Sequence, residues 1–179
     1  MALAHALLAS LLVDGACSGY DLVKRFDESI SCYWMASHQQ IYKELRELEK
    51  QGWVSSETIA QTGRPNKNLY SITALGQEHL AHWILTPSVP TVIREDLMIK
   101  TLAGFLVPNL AMLDELKRRR QIHLDKLAVL KEIERQEFPQ VAALSREQKF
   151  CYLSIRRGIR YEADWVAWCE EAIALLGEE

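Results

Sequence analysis

The stretch from Ser37 to Leu80 constrains this chain more than any other part: SHQQIYKELRELEKQG, WVSSETIAQTGRPNKNLYSI and TALGQEHL follow one another without a break. In the first piece Ile41, Leu45 and Leu48 recur at helical spacing, with Ser37 placed to cap the start and Gly52 to stop the end. The second holds two short strand-like runs, Trp53 to Ile59 and Leu69 to Ile72, around a polar turn containing Gly63 and Pro65. In the third, Thr73 can cap a further helix carrying Leu75, Leu80 and Trp83. A polar-faced helix, a cationic hairpin and another helix, in that order, is the layout of a winged helix-turn-helix. Such a domain lays one helix in the major groove of duplex DNA and sets its hairpin beside the neighbouring backbone.

The flanking sequence fits that frame. MALAHALLASLLV is apolar around most of a helical circumference and lacks the basic start and cleavage site of an export signal. It predicts a first helix buried on two sides and ended by Gly15. A second helix is expected after a Ser18 cap, with Leu22, Val23 and Phe26 inward. Beyond Pro87 and Pro90 every assignable segment is helical: Thr91 to Val107, Asn109 to Gln136, and Ser145 to Leu176, interrupted at Pro108 and Pro139. The middle rod is roughly 40 Å long at the usual helical rise. Two such helices pair as an antiparallel hairpin yet leave apolar surface uncovered, and a second copy of the chain is the economical cover. The expected fold is therefore mainly α: a winged helix-turn-helix with a two-stranded wing over residues 1–86, and a helical dimerisation domain, also a possible seat for an effector, over 87–179.

Composition narrows the function. No apolar run reaches the 18 or so residues that span a bilayer, which points to a cytoplasmic protein with no membrane partner. Cys17, Cys32, Cys151 and Cys169 are scattered and form no CxxC pair, so free thiols are expected rather than a disulfide frame or a zinc knuckle. A net charge of -3 argues against indiscriminate polyanion binding but leaves room for a local cationic patch. His79 and His82 lie three apart without a matching carboxylate pattern, and no GxSxG, HExxH, Walker or dinucleotide glycine motif occurs. No catalytic residue, metal or cofactor is expected.

On the candidate reading helix, the amides of Gln39 and Gln40 suit adenine, while Lys43 and Arg46 suit guanine edges or phosphates. Ser37, His38, Gln39, Gln40 and Lys43 sit near the helix start, the end that usually points into the groove. The same residues also make an ordinary solvated face. Tyr42 either reaches a phosphate with its hydroxyl or is simply buried. Arg64 and Lys67 can flank the minor groove, and Asn68 can hold a phosphate. The clusters Lys117 to Arg120 and Arg156, Arg157 and Arg160 are read instead as solvated or ion-paired helix faces. Tyr33, Trp34, Trp165 and Trp168 can wall a flat aromatic or hydrophobic ligand at the domain junction, or serve as packing knobs. A winged-helix module that binds protein and never touches DNA is the rival reading.

SGYDLVKRF at Ser18 to Phe26, IYKELRELEKQGWV at Ile41 to Val54 and GRPNKNLYSITALGQEHL at Gly63 to Leu80, after an apolar opening helix, resemble the PadR family of bacterial transcriptional regulators. The family usually has His-Gly-Tyr where this chain has Ser18, Gly19 and Tyr20, and often a proline where it has Lys43. The resemblance implies a dimeric repressor acting at palindromic promoter sites and responding to phenolic or other hydrophobic compounds. It places the reading element at Ser37 to Gln51, the wing at Glu57 to Asn68, Tyr42 and Lys43 close to the DNA backbone, and Arg64 and Lys67 at a basic wing tip. It also implies a dimer surface drawing on Leu7, Leu8 and Leu11, on Leu110 and Leu113, and on Ile159 and Val166 of the last helix.

Overall fold

A computed structural model describes residues 2–26, 36–60, 63, 66–90 and 92–177. They fall into two compact units, Met1–Pro90 and Thr91–Glu179. The first comprises helix α1 (Ala2–Asp14), strand β1 (Cys17–Ser18), helices α2 (Gly19–Arg25) and α3 (His38–Lys50), strands β2 (Val54–Ile59) and β3 (Lys67–Ile72), and helix α4 (Ala74–Ile84). The sheet is antiparallel in the order β1-β3-β2. The expected two-stranded wing thus gains a short third strand, Cys17 opposite Tyr70 and Ser18 opposite Leu69, which ties the start of α2 to the wing.

The core of this unit gathers Leu7, Leu8, Leu11, Leu22, Phe26, Ile41, Leu45, Leu48, Val54 and Leu80. Each such side chain contributes about 1.5–3 kcal/mol by leaving water. This corrects one expectation: Leu7, Leu8 and Leu11 were placed on a dimer surface, yet α1 packs against α2, α3, α4 and β3 and their side chains are 0%, 0% and 1% exposed. Among the described apolar side chains of α1, Leu12 and Val13 are the exposed ones. His5 Nε2 lies 3.2 Å from His79 Nε2 of α4, with Trp83 facing His5 and Trp53 facing His79 at ring-centroid distances of 4.2 and 3.5 Å. His79 of α4 therefore packs between His5 of α1 and the Trp53 ring.

The second unit holds helices α5 (Asp96–Leu102), α6 (Asn109–Glu137) and α7 (Arg146–Gly177), with single 3-10 turns at Gly104–Leu106 and Val141–Ala143. The helix expected over 91–107 is shorter than its periodicity implied. The Glu95 carboxylate captures the Leu97 N–H at 3.2 Å and fixes the start, and Gly104 lets the chain turn against Met112. α6 and α7 run antiparallel, with Met112, Leu116, His123, Leu127 and Leu130 on one side of the seam and Gly158, Ile159, Glu162, Val166 and Cys169 on the other. Ile159 and Val166, expected on the dimer surface, are enclosed in that seam, while Leu113 is half-buried and Leu110 exposed. Ile99, Leu102, Phe105 and Leu106 also stand exposed.

Four arginines of the cationic clusters in this unit are matched locally. Arg118 pairs with Glu115 at 2.7 Å, Arg119 with Glu95 at 3.0 Å, Arg120 with Glu170 at 2.7 Å and Arg156 with Glu134 at 3.0 Å. Arg157 lies over the Tyr161 ring at 5.7 Å.

Candidate nucleic-acid interface

The start of α3 is fixed by a capping box. The Gln40 N–H donates to Ser37 Oγ at 3.3 Å, and the Ser37 N–H donates to Gln40 Oε1 at 2.8 Å. Ile41, Leu45 and Leu48 face inward, so Ser37, His38, Gln39, Gln40, Tyr42, Lys43 and Arg46 are all presented on the exposed side. Two of them are partly committed to the fold: Ser37 Oγ and Gln40 Oε1 serve the cap, which leaves the Gln40 amide nitrogen as its outward donor. Arg46 Nε donates to the Tyr42 carbonyl at 3.2 Å. The most accessible chemistry on this face is therefore that of Gln39 and Lys43.

Tyr42 has one dry side and one wet side. It is 39% exposed, yet its ring lies against the backbone of Gly19, the first residue of α2. A Cβ at Gly19 would come within 2.5 Å of Tyr42 Cε1. Because the obstructing atom belongs to a side chain, the ring would yield by swinging outward. We expect Gly19→Ala to cost about 1 kcal/mol of stability, and Tyr42→Ala in the same chain to recover part of it; thermal unfolding followed by circular dichroism measures both.

The wing departs from the sequence expectation in one respect. Lys67 is tied rather than free: Nζ lies 3.0 Å from Asp21 Oδ2, which also accepts from the Ser18 hydroxyl at 2.7 Å. The Ser18 and Lys67 hydrogen bonds hold the Asp21 carboxyl below its usual pKa. Asn68 Oδ1 accepts from Thr58 Oγ1 at 2.9 Å across the hairpin, so its outward group is the amide nitrogen. Arg64, expected beside them, lies outside the described residues.

Of the four aromatic residues expected to wall a ligand, Tyr33 and Trp34 lie outside the described residues. Trp165 and Trp168 are half-buried on α7, in edge-to-face contact at 5.6 Å. Trp165 also lies parallel to His123 at 4.9 Å and beneath the Arg119 guanidinium at 5.5 Å.

Sequence reasoning passed over the most buried polar group of the second unit. Glu162 is 0% exposed and His123 5%, and they are hydrogen-bonded through Oε2 and Nδ1. Among the described residues His123 Nε2 and Glu162 Oε1 have no hydrogen-bond partner. The signal was available: His123 stands midway in the seven-residue spacing from Leu116 to Leu130, a seam position filled by a polar side chain. Among the described residues no three His, Cys, Asp or Glu side chains converge to hold a metal ion, and no helix is long and apolar enough to cross a membrane.

Residues 7–82 match the family described as Transcriptional regulator PadR-like family, and residues 93–177 match that described as Virulence activator alpha C-term. The chain is 35% identical to a probable transcriptional regulator of Mycobacterium tuberculosis (strain ATCC 25618 / H37Rv) across the whole of both sequences. It is similar to Bacillus subtilis PadR solved in complex with operator DNA, with a TM-score of 0.79 at 25% identity over 98% of this chain and 99% of that one. The same relative solved with p-coumaric acid gives a TM-score of 0.73 at 25% identity over 99% of each. The Vibrio cholerae virulence activator AphA gives 0.74 at 28% identity over 98% of each.

Proposed function

The chain belongs to the PadR-like family of transcriptional regulators, and on that footing we propose that it binds operator DNA sequence-specifically as a homodimer, acting as a ligand-responsive repressor in the cytoplasm. In this reading α3 enters the major groove with Gln39, Lys43 and the Gln40 amide nitrogen toward the bases and nearby phosphates, and the wing lies along the adjoining backbone. The observation that carries it is the one-sided build of α3. Every apolar side chain of its inward stripe is sealed, and its outward side offers amides, a hydroxyl and cations near the helix start.

A net charge of -3 is compatible with this role because a local patch rather than the total meets the phosphates, and Lys43 and Arg46 lie on the exposed side of α3. The dimer is supported by apolar side chains that the chain does not cover itself, Leu110, Ile99, Leu102, Phe105 and Leu106, since exposed apolar groups in a cluster mark an association surface. The effector, by analogy with the p-coumaric acid bound by the Bacillus relative, is a small aromatic compound. Trp165 and Trp168 are its candidate contacts in the second unit. No catalytic step is assigned to the protein.

The test begins with selecting duplexes from a random pool; the expected product is a two-fold repeated motif. On that duplex Lys43→Glu should weaken binding about tenfold or more at low salt and flatten the slope of log affinity against log salt by about one. Dimer mass by light scattering should not change. Affinity that ignores Lys43→Glu and salt alike would instead mark a protein-binding module.

A further inference from the structure

We propose that Asp21 is a positioning residue for duplex binding, which holds the wing against the first turn of α2 and so fixes where the wing lies relative to α3. The inference rests on the DNA-binding reading above and adds to it a residue that itself contacts no base.

The first turn of α2 has three attachments. Its cap, Ser18, is also the last residue of β1 and stands opposite Leu69 of β3. Gly19 receives the Tyr42 ring of α3. Asp21 reaches beyond the end of the β1–β3 pairing to Lys67, with Oδ2 accepting from the Ser18 hydroxyl at 2.7 Å and from Lys67 Nζ at 3.0 Å. Lys67 stands opposite Ile59, on the last rung of the hairpin before the turn, whereas β1 ends two residues short of that rung. The carboxylate therefore grips the wing at its outer end. One helical turn thus touches both DNA-facing elements, α3 through Gly19 and the wing through Asp21.

Two consequences of losing the carboxylate oppose each other. Deleting a negative charge and releasing Lys67 strengthens attraction to any duplex, because one more cation is available to phosphate. Freeing the outer end of the wing weakens the match to the selected sequence, since orientation of the two elements is no longer fixed in advance. An ion pair with side chains 39% and 41% exposed carries a roughly two- to fivefold effect. The diagnostic is therefore the ratio of two affinities rather than either alone.

The full-length chain is titrated, by fluorescence anisotropy, with a duplex that the wild type selects from a random pool and with a scrambled duplex of equal length and composition. Asp21→Asn should bind the scrambled duplex about two- to fivefold more tightly, with a salt slope steeper by about one. Its affinity for the selected duplex should stay level or fall, so that discrimination drops. Asp21→Glu, which keeps the carboxylate, should restore the wild-type ratio. If Asp21→Asn does not fold, Lys67→Met cuts the same tie from the wing side and should also lower the ratio. Discrimination preserved in a folded Asp21→Asn chain, with both affinities rising together, would overturn the proposal and leave Asp21 a mere competitor for Lys67. A wild type that selects no duplex at all would instead bring down the DNA-binding reading, and this inference with it.

Discussion

Glu162→Ala is expected to destabilise the helical unit by about 3–5 kcal/mol, whereas replacing both members of the pair, Glu162→Leu with His123→Phe, should be neutral or stabilising by about 1–4 kcal/mol. The asymmetry follows from burial. Both side chains are buried, and among the described residues each already leaves one polar atom without a hydrogen-bond partner. Removing the carboxylate strands the imidazole in an apolar seam beside Leu127 and Ile159, where water cannot compensate. Removing both ends abolishes the desolvation cost together with the bond, and a phenyl ring at 123 can keep the parallel contact with Trp165. Urea unfolding of the full chain, followed by circular dichroism, reads out both variants. A single substitution no worse than the double one would show that the pair is hydrated and inconsequential.

Gly76→Ala is the second large effect, and its sign is contested by two terms. Alanine in a helix interior gains nearly 1 kcal/mol over glycine. Against that, a Cβ at this position would fall upon the Trp53 carbonyl oxygen, far inside contact distance. The obstruction is backbone and cannot swing away. That oxygen accepts the Thr73 N–H at 3.0 Å, and the Trp53 ring lies against His79, so shifting it disturbs the cap of α4 and the ring packing together. Overpacking of this kind costs about 1–3 kcal/mol and sometimes more, so we expect a net loss of about 2 kcal/mol. Gly177→Ala, where a Cβ meets open space, is the control and should be neutral. Equal melting temperatures for the two variants would refute the argument.

The sequence revealed most where a local pattern and a local chemistry coincide. Ser37, Ser18 and Thr73 cap their helices as expected, because each hydroxyl sits directly before a run of apolar residues at helical spacing. The hairpin was legible from Gly63 and Pro65 between two strand-like runs. The two-residue β1 was not, since it is a strand only through its pairing with β3, more than forty residues away in the chain. The inward burial of Leu7, Leu8 and Leu11 was missed for a related reason. A helix apolar on all sides, such as α1, does not disclose whether its second face meets its own domain or another chain, and here its own domain takes Leu7, Leu8 and Leu11. Ile159 and Val166 were likewise visible as apolar but not as inward. The candidate interface on α3 was readable in outline, while the prior commitments of Gln40, Lys67 and Asn68 depend on partners that composition does not name.

The His123–Glu162 bond also bears on alignment. Leucine side chains in a long antiparallel pair are nearly interchangeable, so sliding one helix past the other by a turn, about 5.4 Å, rebuilds much of the same apolar contact. A single donor and a single acceptor cannot be rematched in that way. The doubly apolar variant should therefore melt as high as the parent and yet lose uniqueness, with broadened or duplicated nuclear magnetic resonance signals from methyl groups along α6 and α7. In the native chain, one hydrogen bond acts as a vernier stop that lets two greasy rods settle in a single setting.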